Sequence, residues 1–142
     1  MTASWQFWAL LSAAFAALTA IFAKVGVANV HPDFATFVRT IVVIVALAAV
    51  LSATGQWQDP AGISSRTWVF LTLSGLATGA SWFCYFRALQ LGNASQVAPI
   101  DKLSVVLVAI FAVAFLGEKL SAINWLGIAM IGGGAVLVAI RA

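Results

Sequence analysis

Few residues in this chain are equipped for chemistry, and those few sit in unusual company. In the stretch "VAPIDKLSVV", residues 97–106, Asp101 and Lys102 stand side by side near the start of an almost uninterrupted apolar run. Arg39 and Arg87 lie inside other apolar stretches, Arg87 close behind Trp82, Phe83, Tyr85 and Phe86. An aspartate at such a position can carry a proton or pair with a cation, and an arginine can supply the counter-charge. Aromatic neighbours can wall a polar cavity or stack on a guanidinium. Enzymatic chemistry has no comparable footing. The one histidine, His31, adjoins Pro32 without a Glu-x-x-His partner or a metal-ligand spacing, and no serine, histidine and carboxylate assemble into a hydrolytic triad. A single cysteine, Cys84, allows neither an intrachain disulfide nor a cysteine metal cluster. The reading is therefore of a non-enzymatic chain that needs no metal and no cofactor.

The elements that must position these charges are set by composition. The chain has 142 residues, 63% hydrophobic and 8% charged, with a mean hydropathy of +1.08. Eleven charges cannot clothe a soluble core of this size, so the fold class is all-α, a polytopic membrane bundle. Five apolar segments stand out, near residues 4–23, 34–52, 67–88, 95–116 and 123–140. Each approaches the roughly 20 residues that a helix needs to cross about 30 Å of hydrocarbon. The runs are continuous and alanine-rich, without the alternation of a lipid-facing barrel strand. Turn residues fill the intervals, in "GVANVHPD", "ATGQWQDPAGISSR", "LQLGNAS" and "GEKLSA". The opening stretch lacks the basic start of a signal peptide and is expected to remain as the first spanning helix. Trp5, Trp8, Trp57, Trp68 and Trp125 fall near predicted helix ends, where indoles favour the membrane interface. One membrane domain, residues 1–142, accounts for the length. The seven basic residues are scattered singly, with no block to grip a phosphate backbone, so nucleic acid is not an expected partner.

If successive helices alternate in direction, Lys24, Asp33, Arg39, Arg87, Asp101 and Lys102 all fall on one side of the bilayer. A charge at membrane depth costs about 2.5 kcal/mol or more unless it snorkels, pairs or meets water. Asp101 is the sharpest case because a short carboxylate cannot snorkel. Asp101 and Lys102 point about 100° apart on a helix, so each is expected to find a partner elsewhere, with Arg39 and Arg87 the candidates for Asp101. Lys24 and Asp33 read as interface residues. With four basic and two acidic members, the cluster would favour an anionic or zwitterionic solute if it lines a cavity.

Small residues mark candidate packing faces: Gly75 and Gly79 form a GxxxG in the third segment, and Gly127 with Gly132, Gly133 and Gly134 form a glycine face in the fifth. Without a hydrophobic drive between helices in lipid, such residues permit close van der Waals contact, within the chain or between two copies.

Residues 85–139, "YFRALQLGNASQVAPIDKLSVVLVAIFAVAFLGEKLSAINWLGIAMIGGGAVLVA", resemble the EamA domain of the drug/metabolite transporter superfamily. The likeness rests on "YFRAL" closing one helix, "ASQVAP" opening the next, "FLGEKLS" at its end and "NWLGIAMIGGG" in the last. The first 84 residues fit the same five-helix unit through helix count and spacing. The resemblance implies a secondary transporter of a small metabolite or drug-like solute in a prokaryotic cytoplasmic (inner) membrane, with proton coupling a plausible energy source. It also implies a dimer of five-helix units, a homodimer in parallel or antiparallel form or a pair with another half-sized protein, working by alternating access. Asp101, Lys102, Arg39, Arg87, Trp82 and Tyr85 are the candidates for its solute or proton path. The alternative is a non-transporting membrane scaffold or accessory subunit, with Asp101 sealed in a dry pair. Outside the helices, one side carries Lys24, Arg87 and Arg141 and the other Arg66 and Lys119, a near balance that suits insertion in both orientations. Insertion in one orientation, with the three-charge side cytoplasmic, is the second topology.

Overall fold

A computed structural model describes residues 4–140, so Arg141, counted above on one membrane face, lies outside the described residues. The helices are α1 (Trp5–Gly26), α2 (Pro32–Thr54), α3 (Ser65–Leu91), α4 (Ala94–Asp101), α5 (Ser104–Phe115) and α6 (Ala122–Ala139), with one 3-10 turn at Pro60–Gly62. Taking α4 and α5 together as Ala94–Phe115, five stretches are long and apolar enough to span a membrane. The all-α reading of the sequence holds.

Short polar motifs start and stop these helices. His31 caps α2 through Nδ1, which accepts from the Asp33 amide at 3.4 Å, and Pro32 supplies a pre-set first helical position. Gly55 and Gly117 adopt left-handed backbone, φ 66° and 68°, just past the ends of α2 and α5. At Gly55 the Gln56 amide reaches back to the Leu51 carbonyl at 3.2 Å, closing a Schellman turn, and at Gly117 the Glu118 amide reaches the Ala112 carbonyl at 3.1 Å. Ser121 opens α6 by accepting from the Asn124 amide. The "FLGEKLS" stretch is thus a tight turn between two spans.

The fourth segment is the main departure from expectation. It forms two helices instead of one, with Lys102 and Leu103 as turn residues between α4 and α5. Pro99 has no amide hydrogen for the Ser95 carbonyl, which weakens the ladder one turn before the break. The backbone then tightens into i→i−3 bonds: Lys102 to Pro99 at 3.1 Å, Leu103 to Ile100, Val105 to Lys102 and Val106 to Leu103 each at 3.0 Å.

The chain divides into two compact units, Ala23–Gln90 and the rest of the described chain. In the second, α6 packs on both α4 and α5, and the buried positions are small: Ala109 and Ala112 on α5, Gly132 and Ala135 on α6. Small side chains let these backbones approach, and the large apolar ones turn outward. In the unit Ala23–Gln90, Val27, Pro32, Phe86 and Leu89 are buried while no residue in the apolar window of α2 is. A surface this apolar is at home only against lipid or another helix.

Candidate functional site

The unit Ala23–Gln90 gathers Lys24, Asp33 and Arg87 where α1 ends, α2 begins and α3 ends, while Asp59 and Arg66 lie between α2 and the start of α3. Asp33 sits in the first turn of α2, where the free amides favour an anion. Arg87, near the end of α3, reaches it with both arms of its guanidinium: Nε donates to Oδ1 at 3.2 Å and Nη2 to Oδ2 at 3.0 Å. The same guanidinium lies 4.2 Å from the Phe83 ring centroid, one helical turn back on α3. His31 Nδ1 stands 3.7 Å from Asp33 Oδ2, so a protonated His31 would add a second cation to this carboxylate. Lys24 Nζ donates to the Leu89 carbonyl at 2.6 Å, tying α1 to α3.

Further along the same pair of helices, the Arg39 guanidinium lies over the Trp82 ring. Its Cζ is 4.2 Å from the Trp82 ring centroid and 5.5 Å from that of Phe86. Trp82 and Phe86 are four residues apart and so share one face of α3. Such a cation–π contact contributes about 1–2 kcal/mol in a partly desolvated place. Thr36 and Thr40, the neighbouring hydroxyls on α2, donate to the carbonyls of Pro32 and Thr36 in their own helix. Tyr85 is partly buried and has a partner of its own.

In the other unit, the break after α4 carries Asp101 and Lys102. Lys102 Nζ donates to Asp101 Oδ2 at 3.1 Å, which corrects the expectation that each would pair elsewhere. The angular argument treated the side chains as rods, whereas the four-carbon lysine stem curls back across one residue. The pair is not sealed: the side chains keep 34% and 55% of their surfaces accessible. Arg87, one candidate partner for Asp101, is engaged by Asp33 instead.

The glycines divide. A Cβ on Gly132 would stand 3.1 Å from Val106 Cγ2, so α5 and α6 meet closely there. Beside this contact lies an apolar groove of about 700 Å³ lined by Leu103, Val106, Leu107, Gly132, Gly133, Val136 and Leu137. Gly75, Gly79, Gly127, Gly133 and Gly134 face open space.

The sequence reading treated Asp33 as an interface residue and missed it as the partner of Arg87. A signal was present, because helix alternation already put both on one side of the bilayer. The break at Lys102 was legible only in part, through Pro99 inside an apolar run. Among the described residues, no group of three or more histidine, cysteine, aspartate or glutamate side chains could hold a metal ion.

Five apolar stretches long enough to span, with two ion pairs among their few charges, are consistent with a polytopic membrane bundle. Comparison with known proteins gives the family: residues 3–140 match the EamA-like transporter family, and the chain belongs to it. An uncharacterized transporter in the cobO 3' region of Sinorhizobium sp is 67% identical over 140 residues, covering 99% of each chain. No solved structure matches. Membership places the chain in the drug/metabolite transporter superfamily, whose general function is secondary transport.

Proposed function

We propose that the chain is a single five-helix domain, half of an alternating-access carrier for a small solute, and that two copies complete the path. The observation that carries this reading is the interrupted fourth span with a charged pair at its break. The i→i−3 bonds close the break itself, but Pro99 offers the Ser95 carbonyl no amide, and in hydrocarbon such a carbonyl belongs where protein or water meets it. Discontinuous helices with charges at the break are how secondary carriers build sites near mid-membrane. Asp101 is the proton or ion-pair group in this scheme and Lys102 its movable counter-charge; within the unit Ala23–Gln90, Arg39, Arg87, Trp82 and Tyr85 are the candidates for contact with the solute. Homology to a bacterial transporter supports placement in a prokaryotic inner membrane.

The test is reconstitution in liposomes with an imposed pH gradient and a panel of labelled solutes. Wild-type protein should show gradient-dependent flux of at least one solute, and Asp101→Asn should abolish the pH coupling while the protein still folds. Normal folding with no flux for any solute, in wild type as in the variant, would favour the scaffold.

A further inference from the structure

We infer that Arg39, whose guanidinium lies over the Trp82 ring, is a binding site for an oxyanion: a carboxylate or phosphate group presented by a soluble organic anion or by a lipid headgroup. The inference rests on the transport reading for its place in function, and deepens it by naming the ligand class.

Of the other charges of the unit Ala23–Gln90, Asp59 accepts from the Ala61 amide, and Arg66 is exposed at the start of α3 over the Phe70 ring, whereas the rest are engaged. Asp33 is gripped by both arms of Arg87, and Lys24 donates to the Leu89 carbonyl. Among the described residues, Arg39 has no carboxylate partner and donates no hydrogen bond. It is partly buried, about 10 Å along α2 from the first helical residue. A cation at that depth without an anion is costly, and an incoming anion relieves the cost where a neutral or cationic solute does not.

The cation–π geometry makes this a site and not only a stray charge. The Trp82 ring lies 4.2 Å from the Arg39 Cζ, and the guanidinium carries its five N–H donors in a planar fork around its rim. That rim matches two oxygens of a carboxylate or phosphate in parallel, which a lysine point charge cannot reproduce. Phe86, 5.5 Å from the Arg39 Cζ, adds an apolar wall. The pocket chemistry therefore suits an anionic group on an apolar or aromatic body, and benzoate is the matching probe.

Calorimetric titration of benzoate into the purified full chain in neutral detergent tests the soluble source. Saturable binding is expected, weakened about tenfold or more in Arg39→Gln and in Arg39→Lys, since both lose the fork. Arg39→Lys retains the charge and serves if the glutamine variant fails to fold. The lipid source is tested by measuring phosphatidylglycerol retained per protein through purification, expected to fall in both variants. Binding of benzoate that depends on Arg39 points to a soluble anion, and phosphatidylglycerol retention that depends on it points to a lipid headgroup. If neither measurement separates wild type from the variants, the inference is overturned. Failure of every flux assay with Arg39-dependent binding intact would remove the transport reading alone.

Discussion

Arg87 holds both carboxylate oxygens of Asp33 across 54 positions of sequence, and through that fork the end of α3 is tied to the start of α2. A bidentate pair specifies geometry as well as charge, so the contact orients two helices whose facing surfaces offer little else that is polar. Arg87→Lys keeps the charge but loses the second bond. It should lower the melting temperature of the detergent-purified protein, followed by tryptophan fluorescence. Exchanging the pair, with Asp33→Arg and Arg87→Asp together, should recover part of the loss. An unchanged melting temperature in Arg87→Lys would show that the pair contributes nothing to stability.

Close approach of α5 and α6 at Gly132 predicts a steep size dependence. Val106 Cγ2 lies 3.1 Å from where a Cβ would be, and valine is stiff about χ1. Gly132→Leu should destabilise by about 1–3 kcal/mol through overpacking, measured by reversible unfolding in mixed micelles. Combining Gly132→Ala with Val106→Ala should restore wild-type stability or better.

Neighbouring Gly133 faces open space, so a larger side chain there meets nothing within its own copy. Under the dimer proposal, Gly133→Leu leaves the melting temperature of the monomer unchanged and shifts the population from dimer to monomer. Sedimentation equilibrium in density-matched detergent reads that shift directly. An unchanged dimer fraction would take the glycine face of α6 out of the interface.

Pro99 predicts a trade between stability and transport. Pro99→Ala restores an amide for the Ser95 carbonyl and should stabilise the fourth span by about 1–3 kcal/mol. If the break is part of the carrier cycle, the same variant should lose most of its flux in liposomes. Full flux in a more stable variant would mean that the break is only a local accommodation to proline.

Orientation is open to a direct measurement. Reporters active in opposite compartments, fused in turn to the same terminus, should both score if the chain inserts in both orientations, as the balance of loop charges predicts. One exclusive compartment would sink the self-inverted dimer and leave the single topology.

The class and coarse architecture were legible because they follow from quantities that add along the chain. Apolar run lengths, scarce charge and turn residues between runs require five spans whatever the helices touch, since hydrocarbon demands internally satisfied backbone. The residues with chemical potential were legible too, since a charge inside an apolar run is conspicuous by itself. Their partners were not. Asp101 was expected to reach across helices and instead meets Lys102, because local backbone tightening after Pro99 and a flexible lysine stem override the ideal helical angle. Arg87 finds Asp33, and Arg39 finds a tryptophan face in place of a carboxylate. Which glycine packs, Gly132 and not Gly133 or Gly134, depends on which face of α6 meets α5. The sequence by itself determined that this protein carries five stretches able to cross a membrane, with few charges inside them. Only the tertiary structure decided which charges pair, Asp33 with Arg87 and Asp101 with Lys102, because pairing is set by distances of a few ångströms that run lengths do not encode.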